Sequence, residues 1–180
     1  TSDWNTANVT TMLGIFKNAS SATPDTSGWD TSSVTNMQQM FHGATSANPD
    51  TSSWDTSNVT SMYQMFRGAT SANPNVSTNG NVWNVSQVTS MQEMFKWATS
   101  AVLGEYTLDW DVSNVTNMKD TFSGATLANP NTSSWDTSSV TRMDGMFGDA
   151  TSANPDVSNW DTSSVTDMGG MFHGASSANP

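Results

Sequence analysis

The chain has 180 residues, a formal net charge of −11, five Lys and Arg, and no Cys. An acidic surface repels phosphate backbones, which argues against nucleic acid, and without Cys neither disulfides nor thiolate metal sites can form. No apolar run approaches the roughly 20 residues of a membrane-spanning helix, and no secretory leader is visible.

Leu, Ile, Val and Phe total only 25, but twelve Met and eight Trp stand at regular positions, which points to an ordered core built from unusual residues. Trp4, Trp29, Trp54, Trp83, Trp110, Trp135 and Trp160 are spaced by 25, 25, 29, 27, 25 and 25 residues. Five residues after each Trp comes a Val (Val9, Val34 and equivalents), followed directly by Thr. Met comes three after Val (Met12, Met37), Phe four after Met (Phe16, Phe41), and Ala19, Ala44 and equivalents close the unit. A period of this length is the mark of a coil array, in which each unit buries its apolar face against the next. Seven units follow: 1–25, 26–50, 51–75, 76–106, 107–131, 132–156 and 157–180. The start "TSDW" and the end "SANP" meet almost in phase and neither carries a polar cap, as expected of units from a longer array.

Within a unit, "DTSSW" or "DVSNW" predicts a short extended segment, with Thr or Val and an aromatic. The Asx after each Trp (Asn5, Asp30, Asp55) then predicts a helix N-terminus. Val34, Met37, Met40, Phe41 and Ala44 have offsets that share one helical face, predicting a short helix over 33–42. Lys17, His42, Arg67, Lys96 and His173 would lie at the C-terminal end of such helices, and Gly43, Gly68, Gly124 and Gly174 just beyond. The predicted fold is an α/β solenoid, a leucine-rich-repeat-like right-handed coil of seven units. Each unit would be a short parallel strand plus a short helix, with strands stacked at about 4.8 Å.

The phrase W-D-T-S-x-V-T-x-M-x-x-M-F-x-G-A resembles the repeat of BspA-like bacterial surface proteins along the whole chain. It departs at Ala44, Ala69 and equivalents, where relatives often carry Cys, and at the Thr of "DTSSW", where they tend to place Ile. The resemblance implies a secreted or surface-anchored protein attaching to host or partner surfaces, hence an extracellular or cell-surface location.

Candidate chemistry is sparse. His42 and His173 occupy equivalent positions about five coils apart, beyond the reach that acid–base catalysis needs, so no catalytic residue and no enzyme is expected. The Asp columns (Asp25, Asp50, Asp156; Asp30, Asp55, Asp136, Asp161) could attract calcium. Asn replaces Asp freely in both, which suits capping and turns better, so no metal or cofactor is expected. The Met columns read as core. Two Thr columns, one after the Val (Thr10 to Thr166) and one in the predicted strand (Thr26, Thr51, Thr107, Thr132), raise ice binding as a rival function. Seven Asn-x-Ser/Thr sequons follow from the repeat itself.

Repeat four is irregular. "VSTNGNVW" (76–83) adds residues around Asn79-Gly80, a hairpin-type signal, and "AVLGEYTLDW" (101–110) replaces the usual Pro with Gly104. Trp97 stands where other units have Gly, Asn or Asp, with Glu105 and Tyr106 nearby in sequence. Trp97, Tyr106, Glu105, Asn79 and, in repeat three, Tyr63 are the candidate ligand-binding residues, since exposed Trp and Tyr anchor glycans and proteins. The alternative is that Trp97 and Leu103 merely plug the bulge. The reading is a non-enzymatic adhesive or stalk segment whose partner is a glycan or protein on a cell surface or matrix. Unpaired coil ends also predict end-to-end self-association.

Overall fold

The computed structural model describes residues 1–78, 81–103 and 110–180. Among them there is no helix, and the strands are β1 (Ser77–Thr78) and β2 (Asn81–Val82). The chain is therefore not an α/β solenoid of strand-plus-helix units. Each repeat is instead a run of tight turns, and the turns of one coil hydrogen-bond to those of the next.

The segment predicted as helix shows why. Backbone N–H groups bond to carbonyls three residues back, as in Met40 to Met37, His42 to Gln39 and Ala44 to Phe41, and all seven repeats do the same. An α-helix would bond four residues back and keep φ negative throughout. Here two positions per repeat have positive φ. One lies two after Met (Gly14, Gln39, Gln64, Glu93, Asp120, Gly145, Gly170) and the other two after Phe (Asn18, Gly43, Gly68, Trp97, Gly124, Asp149, Gly174). Left-handed backbone is cheap for Gly and tolerable for Asn and Asp, and it closes each turn so that the next can begin. The glycines predicted to follow a helix do take positive φ, but as corners in a chain of turns.

Alternate N–H groups of this segment point along the stack. Met37, Gln39, Phe41 and Gly43 donate to the carbonyls of Ser61, Tyr63, Met65 and Arg67. Four such bonds, 2.6–3.4 Å long, recur at each of the six junctions between coils. A reverse rung runs from the N–H of Thr35 to the carbonyl of Thr10, and likewise onward to Thr166, and a second joins Ser46 to Ser20, Ser71 to Thr45 and Ser152 to Thr126. Single parallel bridges mark the line from Thr11 through Asn36, Ser61, Ser90, Asn117 and Arg142 to Asp167. The inter-coil pairing thus sits in the predicted helix, whereas the predicted strand is a turn closed by Trp29 N–H on the carbonyl of Thr26.

The apolar columns point inward as their spacing requires. Val34, Met37, Met40, Phe41 and Ala44 are all fully buried, as are their counterparts in the middle coils. The Phe rings form a continuous stack from Phe16 to Phe172 with centroids 5.3–5.9 Å apart. Beside it Trp4, Trp29, Trp54 and Trp83 stack in one series, and Trp110, Trp135 and Trp160 in another. Offset parallel rings at this spacing add to the burial of large apolar area.

The polar residues are spent on turns and junctions. Oδ1 of Asp25, Asp30, Asp50 and Asp156 accepts both the N–H and the hydroxyl of the Ser two residues on. These are Asx turns: Asp25, Asp50 and Asp156 sit in turns as expected, whereas the helix cap predicted at Asp30 is corrected to a related local bond without a helix. In the predicted strand Thr column, Thr26, Thr51 and Thr132 are buried and donate their hydroxyls to the carbonyls of Asp50, Asn75 and Asp156 at 2.6–2.7 Å. Thr107 lies outside the described residues. In repeat four β1 and β2 pair antiparallel, Ser77 opposite Val82 and Thr78 opposite Asn81, on either side of Asn79-Gly80, which lie outside the described residues.

Candidate functional site

Repeat four carries the feature that breaks the pattern of its neighbours. Trp97 occupies the left-handed column two after Phe, with φ 61°, where the other coils place Gly, Asn or Asp. A bulky side chain there is a steric outlier, costing about 1–2 kcal/mol. The residue is nonetheless 48% exposed. The Arg67 guanidinium carbon lies over it at 4.8 Å from the ring centroid, and Lys96 Nζ at 5.1 Å. On the following coil the pyrrole edge (Cδ1 and Nε1) rests against Gly124, so closely that a Cβ there would overlap the ring.

Two ion pairs fix the cations. Arg67 Nε is 2.7 Å from Glu93 Oε2, and Lys96 Nζ donates to Asp120 Oδ2 at 2.9 Å. Burial alone would push the Glu93 carboxyl up. Hydrogen bonds from Gln92 and Gln64 and the charges of Arg67 and Lys96 outweigh it, holding Glu93 below its ordinary value. His42 is pushed down by burial and by Arg67 and Lys17, and its Nε2 accepts from Arg67 Nη1 at 3.0 Å. Neither His42 nor these cations end a helix; they belong to a side-chain ladder crossing the coils. It runs from Lys17 Nζ to Gln39 Oε1, from Gln39 Nε2 to Gln64 Oε1, and from Gln64 Nε2 to Glu93 Oε2. Further along, Lys119 bonds Asp144 at 2.7 Å and Arg142 grips the same carboxylate with two nitrogens.

All five Lys and Arg of the chain lie on this face, interleaved with Glu93, Asp120, Asp144 and Asp167. Asp25, Asp30, Asp50, Asp136, Asp156 and Asp161 instead accept from Ser in Asx turns. Trp97 therefore emerges from the one face where cations offset carboxylates.

Of the residues singled out from sequence, Trp97 and Tyr63 are described; Asn79, Glu105 and Tyr106 lie outside the described residues. Tyr63 is half-buried one coil earlier, and no ring contact joins it to Trp97 among the described residues. Leu103 is buried in the core and Trp97 is not, while Asn79-Gly80 and residues 104–109 of the irregular stretches lie outside the described residues. Sequence reading missed Arg67, Lys96, Glu93 and Asp120 as neighbours of Trp97. The signal was available: an acid two after Met falls beside a cation one after Phe in the preceding coil.

A family model described as "Mycoplasma protein of unknown function, DUF285" matches residues 1–106 and 102–180. The chain belongs to the DUF285 family. No curated protein and no solved structure matches it. This DUF285 chain thus has turn-built coils, and its irregular features, the β1–β2 hairpin and Trp97, fall in one repeat.

Proposed function

We propose that the chain is a non-enzymatic repeat segment of a secreted or surface-anchored protein, and that it binds a glycan or protein ligand around Trp97. The DUF285 family is associated with BspA-like surface repeat proteins, which supports this setting. The observation that carries the site is Trp97 itself. A large ring is kept at a left-handed position while half of it faces water, where Gly would relieve the strain. Strain held at an exposed residue points to a role beyond folding. An indole rim flanked by Arg67 and Lys96 suits a ligand that offers an apolar patch beside an acceptor or a negative group.

The test is a glycan and matrix-protein array probed with the chain and with Trp97→Gly, both checked for fold by thermal melting. Binding lost in the variant supports the site. Binding retained moves it to another face, and no binding by either protein defeats the adhesive reading in favour of a spacer. Ice binding has less behind it. The Thr10 column is exposed, but its successive hydroxyls donate to the carbonyl of the preceding Thr, and Thr26, Thr51 and Thr132 of the second column are buried. Thermal hysteresis at high protein concentration would revive that rival.

A further inference from the structure

Arg67 lies over the Trp97 ring, and one of the contacts that hold it there depends on a protonation state. Its Nη1 is 3.0 Å from Nε2 of His42 on the preceding coil. A guanidinium only donates, so Nε2 is the bare acceptor nitrogen, and the proton of the neutral imidazole sits on Nδ1. That atom is buried and has no hydrogen-bond partner among the described residues. The Arg67–His42 bond therefore exists only while His42 is neutral.

Protonation gives the ring two N–H donors and an acceptor for neither. Nε2–H would point at the Arg67 guanidinium, and a buried charged donor without a partner is costly. The charged groups facing the imidazole are Arg67 on coil three, Lys17 on coil one and Glu93 on coil four. Burial disfavours the imidazolium, and so do Arg67 and Lys17. The Gln64 amide and the Glu93 carboxylate pull the other way and are outweighed, so His42 titrates below its ordinary value of about 6.5. Arg67 is the side chain that yields when it does. It is long and 26% exposed, and Glu93 keeps its hydrogen bonds from Gln64 and Gln92 without it.

We propose that protonation of His42 releases Arg67 from the Trp97 ring, so that the ligand site opens as the pH falls. A ligand with an apolar patch, such as the face of a sugar, then gains indole surface that the guanidinium covers at neutral pH. The role in binding rests on Trp97 being the ligand site; the coupling of His42 to Arg67 is a property of the chain alone.

Nuclear magnetic resonance on the unliganded chain tests it. At neutral pH the side-chain protons of Arg67 are expected to show Overhauser contacts with the Trp97 ring, and these should disappear in step with the titration of the His42 ring protons. His42→Gln keeps an acceptor for Arg67 but cannot titrate, so it is expected to retain the contacts at about pH 5, above the carboxylate range. Arg67→Met removes one of the two cations and should raise the His42 midpoint, as reciprocal coupling requires. His173, at the equivalent position on coil seven with its side chain 82% exposed, provides the control: His173→Gln should change none of these results. Contacts that survive protonation of His42, or that vanish equally in His42→Gln, would overturn the proposal. So would a His42 that stays neutral until the carboxylates titrate at about pH 4. No readout here needs a ligand, so an array without binding would defeat the adhesive reading and leave the switch standing.

Discussion

At Trp97 two opposing terms nearly balance. The left-handed backbone costs about 1–2 kcal/mol for a side chain of this kind, while each exposed cation over the ring returns about 0.5–1 kcal/mol. Trp97→Gly is accordingly expected to change stability by no more than about 1 kcal/mol, whereas Phe95→Ala, deep in the ring stack, should cost about 3–5 kcal/mol. Chemical denaturation of the two variants checks the contrast, and a loss as large for Trp97→Gly as for Phe95→Ala would mark Trp97 as core. Gly124 gives a sharper test. At φ 67° and against the Trp97 ring, an added Cβ meets both left-handed strain and the indole. Gly124→Ala should therefore cost more than strain alone, and the excess should vanish when Trp97 is Gly. A double-mutant cycle is expected to show coupling of order 1 kcal/mol. Strict additivity would contradict the contact.

At the scale of the element, the inward positions were legible in the sequence and the backbone between them was not. Val34, Met37, Met40, Phe41 and Ala44 share a face in a helix, and they share one equally in a succession of three-residue turns. Side-chain periodicity alone does not separate the two. The distinguishing signal lay in the positions between: Gly14, Gly145 and Gly170 stand mid-segment, where a helix loses about 1 kcal/mol per Gly. Gln39, Gln64 and Glu93 hid that column in the middle repeats, because their side chains bond from coil to coil and offset the strain. The candidate site was legible only as Trp97, since its cationic neighbours come from register between coils. The Asx turns give this scale its own prediction. Hydrogen bonds from Ser hold the carboxyls of Asp25, Asp30, Asp50, Asp136, Asp156 and Asp161 below their ordinary values. A carboxyl lowered on folding contributes stability above its unfolded pKa, and loses it as pH falls through the folded one. The melting temperature is expected to drop as pH falls below about 4. A midpoint that holds or rises down to pH 2.5 would show that these bonds do not support the turns.

Across the whole molecule, charge and stacking act in opposite senses. A net charge of −11 makes the stack repel itself, and more strongly along the Asx faces than along the face where Lys and Arg sit among carboxylates. Adding salt at pH 7 should therefore raise the melting temperature, as screening weakens that repulsion; a fall would mean that the Arg67–Glu93 and Lys96–Asp120 pairs dominate instead. Cooperativity should be of nearest-neighbour type, because each coil's hydrogen bonds run to the coils beside it. The bonds between coils are what distinguish this architecture from a strand-plus-helix repeat, and nuclear magnetic resonance can observe them one by one. Scalar couplings through hydrogen bonds, recorded on labelled protein, should link the amide nitrogens of Gln39, Phe41 and Gly43 to the carbonyl carbons of Tyr63, Met65 and Arg67, each 24 residues ahead. Couplings from these same nitrogens to carbonyls four residues behind would mean that 33–42 is a helix and that the turn-built stack is wrong.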